Sequence, residues 1–157
     1  MEIELLTVGK TTINFVATGI EEYTRRLKHY IGYKITALPD IKKNASLSAE
    51  RQKEAEGEII LSKLQSSDFV VLLDERGREY SSIEFAGFIE KQMLSGRKRL
   101  VFVVGGPYGF SRSVYDRADG KVSLSRMTFN HEMVRLFFTE QLYRAMTILR
   151  GEPYHHE

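Results

Sequence analysis

The chain has 157 residues, 42% of them hydrophobic and 28% charged, with a formal net charge of +2 and no cysteine. That length favours one domain, 1–157, with a sizeable core, and the composition is that of a soluble globular protein rather than a disordered or fibrous one. The missing cysteine excludes disulfides, thiolate metal sites and a cysteine nucleophile, and it fits a reducing cytosol. The opening MEIELLTVGK lacks a signal-peptide pattern, and no apolar run is long enough to span a bilayer. A weakly basic balance neither demands nor excludes a nucleic-acid partner.

Ile3 to Val8 reads as a short strand ending at Gly9. From Ile13 to Ile31 the period changes: Ile13, Val16, Ala17, Ile20, Tyr23, Leu27, Tyr30 and Ile31 share one helical face, with Gly32 as C-cap. Lys34 to Leu38 is a second strand, stopped by Pro39, and a polar loop from Asp40 to Ser46 carries Lys42 and Lys43. Ser48 caps a helix through Glu54, Ile59 and Leu64. Asp68 to Asp74 is a continuous apolar strand, the kind buried on both faces of a parallel sheet. Glu75 to Glu79 is predicted as a charged turn around Gly77. Ser81 and Glu84 make a capping box for a helix ending near Ser95 and Gly96. Leu100 to Val104 is the fourth strand, and Ser111 to Ala118 follows the glycine turn as a short helix. Lys121 to Phe129 is the fifth strand. Asn130 caps the last helix, whose apolar stripe is Met133, Val134, Phe137, Phe138, Leu142, Ala145, Met146 and Leu149, and Gly151 ends it before a short tail.

Strands alternating with helices predict an α/β fold: a single domain with a mostly parallel sheet flanked by helices. In such sheets ligands bind beyond the carboxyl ends of the strands. The special loops fall there: Asp74 to Gly77, Gly105 to Gly109, and Ser125 to Asn130.

The stretch Val104-Gly105-Gly106-Pro107-Tyr108-Gly109 matches neither the Rossmann nor the P-loop spacing. It is either a tight turn, with glycine supplying positive φ, or a place where backbone approaches a ligand. The last helix offers Arg135, Tyr143 and Arg144 on its exposed face, and the tail adds Tyr154 and His155. These residue types bind phosphates and stack on bases, and they equally suit a solvated face and a frayed tail.

Four segments occur in order: Gly105-Gly106-Pro107-Tyr108-Gly109, Leu124-Ser125-Arg126-Met127-Thr128-Phe129-Asn130-His131, Leu142-Tyr143-Arg144-Ala145 and Pro153-Tyr154-His155. Together they closely resemble the ribosomal RNA large subunit methyltransferase H family, of the SPOUT class. The similarity runs from Leu6-Thr7-Val8-Gly9-Lys10 to the tail. Each motif is weak alone; the ordered set is specific. The resemblance implies an enzyme that uses S-adenosylmethionine to methylate N3 of a pseudouridine in large-subunit ribosomal RNA, acting on the assembled ribosome. It implies a cytoplasmic homodimer with a C-terminal trefoil knot, which no strand pattern would predict. It places the cofactor at Leu73, Gly105, Leu124, Ser125, Arg126, Met127, Thr128 and Phe129. This cofactor has no phosphate, so no phosphate cradle is needed. Leu73, Leu124 and Met127 offer apolar walls, and glycines let the main chain approach.

The implied acceptor nitrogen carries a proton that must leave, so a general base can help. His131, Glu132 and Glu140 are the ionisable candidates; Arg135 and Arg144 are further candidates for the catalytic site, and no single residue is assigned. The plainer roles are dipole compensation for Glu132, a solvated position for Glu140 and loop-holding for His131. Arg135 and Arg144 suit RNA phosphates or the target base, Tyr143 and Tyr154 stacking, and His155 RNA or the partner subunit. His155 and His156 lack the spacing of a helical metal site, so no metal is expected, and no membrane partner either. The rival reading is a non-catalytic nucleotide- or ribosome-binding module. The clusters Arg25-Arg26 with Lys28, and Arg97-Lys98-Arg99, serve either.

Overall fold

The computed structural model describes residues 1–41 and 47–156; Lys42 and Lys43 of the polar loop lie outside the described residues. Five strands and five helices follow in order: β1 (Glu2–Val8), α1 (Asn14–Leu27), β2 (Gly32–Leu38), α2 (Ala49–Lys63), β3 (Phe69–Glu79), α3 (Ser82–Leu94), β4 (Arg99–Val104), α4 (Arg112–Arg117), β5 (Gly120–Ser123) and α5 (Met133–Leu149). The strands form one sheet in the order β2-β1-β4-β3-β5, and every pairing is parallel.

Strand period two divides the core. Leu100, Phe102 and Val104 of β4 face a cluster with Phe85, Ile89, Phe138 and Leu142, from α3 and α5. Val101 and Val103 face the opposite side, with Ile60 and Val114 from α2 and α4. The central strands are therefore buried on both faces, which is why they read as unbroken apolar runs.

The predicted caps at Ser48 and Ser81 form, Ser81 with Glu84 making the full capping box; Ser111, expected inside the short helix, is its N-cap. Gly32 does not cap α1. The helix ends at Leu27, whose carbonyl takes the N–H groups of Tyr30 and Ile31, and Gly32 opens β2. That tight turn needs no left-handed residue, so the glycine is free to enter the sheet.

Two further boundaries differ from expectation, both at the cleft. The segment predicted as a charged turn continues β3: Leu73 and Arg78 both pair with Val122, so the residues between them bulge from the ladder. Gly77 permits this, because a Cβ there would lie 2.6 Å from backbone atoms of Val122. The fifth strand stops at Ser123, and Leu124 to Phe129 leaves the sheet. Ser123 Oγ donates to the Ser125 carbonyl at 3.0 Å, and Ser125 Oγ accepts the Met127 N–H at 2.9 Å. These short-range bonds compete with ladder pairing and turn the chain outward.

Helices α1 and α5 run side by side in the same direction. Glu132, just before α5, is bonded to Thr12 and Ile13, just before α1. At the far ends Arg150 donates to the His29 carbonyl at 3.0 Å and Tyr30 donates to Glu152 at 2.5 Å. The cleft end and the tail end of the molecule are thus at opposite ends of α5.

Candidate active site

A hollow of about 500 Å³ opens where the β3 bulge meets the carboxyl end of β4. A smaller one of about 80 Å³ adjoins it beside the end of β5, and Leu73, Asp74, Glu75 and Val134 line both. The β3 bulge supplies the acidic side of this cleft, as bulges beside sites commonly redirect side chains. Asp74 is held there: its Oδ1 accepts the Arg76 N–H at 2.8 Å, and its Oδ2 accepts the Tyr115 hydroxyl. Burial and this carboxylate push the Tyr115 phenol up to about 12, so it remains a donor at neutral pH.

The glycine turn forms the facing wall. Only Gly109 has a positive φ, 81°, within it. Gly105 and Gly106 are needed for space: a Cβ on Gly105 would sit 3.1 Å from the Phe110 ring, and one on Gly106 would meet the Glu56 carboxyl. Gly106 and Gly109 close the turn with an isolated antiparallel bridge.

Of the predicted cofactor residues, Leu73, Gly105 and Phe129 line the larger hollow, and Leu124, Ser125 and Met127 line the smaller. Arg126 and Thr128 line neither hollow; both are exposed, and Arg126 lies 3.8 Å from Glu79. His131 is on the larger hollow's rim, its side chain 63% exposed. A cleft of this size, with Leu73, Val104, Phe129 and Val134 as apolar surface and a close-approach glycine turn, can take a small organic ligand against backbone.

Arg135 is not on the exposed face of α5, as the sequence led one to expect. It is 2% exposed, and its guanidinium donates to the carbonyls of Val8 and Gly9 and to Thr11 Oγ1 at 3.0–3.1 Å. Helical spacing alone put it opposite the apolar stripe, but the β1–α1 connection folds over that face. Glu132 is its companion. It accepts from Thr12 N, Thr12 Oγ1 and Ile13 N at 2.6–3.0 Å, and these bonds hold its carboxyl below the usual range. A carboxylate so occupied is an anchor between two helix starts rather than a base. Asn130 does not cap α5 as expected: Glu132 holds the N-cap position, and Asn130 Oδ1 accepts the Glu132 N–H at 2.9 Å in the turn that precedes the helix.

The remaining predicted residues meet at the other end of α5. Glu140 Oε1 accepts from Arg144 Nη2 at 2.6 Å and from the Tyr154 hydroxyl at 2.9 Å. Arg144 Nη1 lies 3.2 Å from His155 Nδ1, and its guanidinium stacks 4.7 Å over Tyr154. Tyr143 packs against Tyr154, Tyr23 and Tyr30. Burial, with bonds to Tyr23 and Glu140, holds the Tyr154 phenol well above its usual range. The tail is therefore folded onto α5 rather than frayed, and Glu140 is an organiser rather than a solvated position. Sequence reasoning missed Glu56 and Tyr115. Their side chains become relevant only when α2 and α4 pack beneath the glycine turn, and no motif marks them.

The whole chain matches known proteins. The model of the predicted SPOUT methyltransferase family covers residues 1–155. A protein of Porphyromonas gingivalis named ribosomal RNA large subunit methyltransferase H is 59% identical over 157 residues, covering all of both chains. Its namesakes in Christiangramia forsetii and Flavobacterium johnsoniae are 58% and 56% identical, over 99% and 100% of both chains. A solved probable methylase family protein from Haemophilus influenzae Rd KW20 is similar in fold, with a TM-score of 0.53 and 13% identity, over 95% of this chain and 66% of that one. With the parallel sheet and the cleft at its carboxyl edge, these matches place the chain in the SPOUT methyltransferase family.

Proposed function

We propose that this protein methylates N3 of a pseudouridine in large-subunit ribosomal RNA, on the assembled ribosome, with S-adenosylmethionine as donor. The observation that carries the reading is the cleft. The glycine turn and the loop after β5 meet there at the carboxyl edge of a SPOUT sheet, in a chain 59% identical to a named ribosomal RNA methyltransferase. Leu73, Gly105 and Leu124 to Phe129 hold the cofactor, with Arg126 and Thr128 contributing through backbone. The cofactor supplies a methyl group on a sulfonium, and its leaving group is neutral and needs no acid.

The chain's own task is to position the acceptor and take its proton. His131, on the rim of the cleft with its side chain 63% exposed, is an ionisable group placed to take that proton. Arg144, set by Glu140 and stacked on Tyr154, presents a fixed cation for a phosphate or for the oxygens of the target base. Tyr143, Tyr154 and His155 complete that surface.

The two groups lie apart on one chain. At about 1.5 Å per residue, Arg144 sits roughly 15 Å beyond Val134 along α5. We therefore propose a cytoplasmic homodimer in which the tail of one copy closes over the cleft of the other. Exposed apolar side chains near the cleft support this: Met127 is 77% exposed, Phe15 68% and Phe137 39%. The C-terminal trefoil knot is part of the same family-based reading.

Methyl-labelled S-adenosylmethionine with ribosomes lacking the modification tests the activity, with free RNA in parallel. Label on N3 of one large-subunit pseudouridine, from ribosomes only, is expected. Absence of label on both, with an active control enzyme, overturns the reading in favour of a binding module.

A further inference from the structure

Glu56, in α2, is 3% exposed. Its Oε1 accepts from Gln52 Nε2 at 3.0 Å, while its Oε2 is buried and has no hydrogen-bond partner among the described residues. A buried carboxyl oxygen left unmatched is unfavourable, and natural structures seldom keep one without use. Burial lifts this carboxyl above the usual range, the Gln52 bond opposes the lift, and Asp40 adds to it.

The unmatched oxygen is directed at the glycine turn. A Cβ placed on Gly106 would lie 2.4 Å from Glu56 Oε2 and 2.7 Å from Oε1. The next residue of α2 makes a second close approach: a Cβ on Gly57 would lie 2.3 Å from the hydroxyl of Ser111, which caps α4. So α2 carries both ends of the segment from Gly105 to Ser111. Glu56 bears on its start, and Gly57 admits its end. The other side of the same turn faces the cleft.

We propose that Glu56 is a positioning residue for the cofactor: its carboxyl sets how far the turn at Gly106 reaches into the cleft. Its unmatched oxygen is the partner that a backbone N–H of the turn takes up when the cofactor seats. This rests on the reading that the glycine turn contacts S-adenosylmethionine. It accounts for a glycine at 106, where φ is not positive and no turn geometry demands one.

The test is S-adenosylmethionine affinity by titration calorimetry on the purified full chain, with thermal unfolding as the folding check. Glu56→Ala is expected to weaken binding about tenfold, the loss of one buried hydrogen bond. Glu56→Gln keeps the shape and a polar tip, and is expected to stay within about threefold of the wild type. Gly106→Ala is expected to weaken binding by more than about tenfold, because its methyl group meets the carboxyl. The double variant Gly106→Ala with Glu56→Ala is expected to recover part of that loss, so the two effects do not add. A purely structural role predicts parallel losses of melting temperature and no such recovery. Wild-type affinity in folded Glu56→Ala, or strict additivity in the double variant, overturns the proposal. If Glu56→Ala does not fold, the ratio of Gly106→Ala to wild type in the Glu56→Gln background decides: an unchanged loss upholds contact with the carboxyl-shaped group, and no loss refutes it. Leu124→Ala separates this from the wider reading. If it weakens binding while Glu56→Ala does not, only the positioning role fails. If the wild type itself does not bind, the cofactor reading fails.

Discussion

The two ends of α5 differ in how their charges are spent. At the cleft end, Arg135 and Glu132 are buried, and between them they make six hydrogen bonds with the end of β1 and the β1–α1 connection. At the tail end, Arg144 and Tyr154 are partly exposed and gathered round Glu140, with His155 beside them. The first set locks the loop that leads into α1 onto the start of α5. The second presents cation and ring faces to the outside. Residues of the same type on one helix thus serve stability at one end and, in the proposed function, recognition at the other, and burial distinguishes them.

Substitutions should separate the two ends. The largest effect is expected at Arg135. Arg135→Ala removes the donor to the Val8 and Gly9 carbonyls and to Thr11 Oγ1 and empties a buried site, and should lower unfolding free energy by about 3 kcal/mol. Denaturant unfolding checks it; a fully stable Arg135→Ala protein with reduced turnover would move this residue into the recognition set. Next comes Arg144→Ala. It should leave stability within about 1 kcal/mol, since a partly exposed pair contributes little. Turnover on ribosomes should fall about a hundredfold with cofactor affinity unchanged. Steady-state kinetics beside calorimetry reads both.

Glu132 gives a smaller effect with a defined sign. Its folded carboxyl is held below the ordinary value of 4.5. Its contribution is therefore fully present above that value and is lost as pH falls through the lowered one. Glu132→Gln should cost about 2 kcal/mol near neutral pH and flatten the decline of stability in acid. Melting temperatures between pH 3 and 7 test this, and a slope identical to wild type counts against it. The smallest effect concerns the proposed contact between copies. Phe137→Asp should leave the monomer folded and weaken self-association about tenfold, as read by sedimentation equilibrium.

Much of the fold was legible because the central strands are buried on both faces and the helices carry their caps in sequence. Ser48, and Ser81 with Glu84, announced helix starts that formed. The boundaries that failed lie at the cleft. Gly77 invited a turn reading, yet its missing side chain serves a close approach of β3 to β5. Leu124 to Phe129 alternates enough to mimic a strand, while Ser123 and Ser125 tie it into a loop. The eight candidate cofactor residues came from resemblance, and six of them line the hollows. Arg135 was misplaced because helical periodicity knows only its own helix. What covers that face is a connection 120 or more residues away in sequence. Glu56 left no trace in the pattern, since a lone glutamate in a charged helix looks solvated until α2 is docked.

The division of labour has one decisive measurement. A cleft variant, such as Gly105→Val, is mixed with the tail variant Arg144→Ala, each inactive alone, and methylation of ribosomes is measured. If the tail of one copy serves the cleft of the other, mixed dimers contain one intact composite site, and activity should return to about a quarter of wild type for random pairing, with half of each protein in the mixture. If each chain works alone, every mixed dimer still has one defect per chain, and no activity returns. That second outcome would contradict the account.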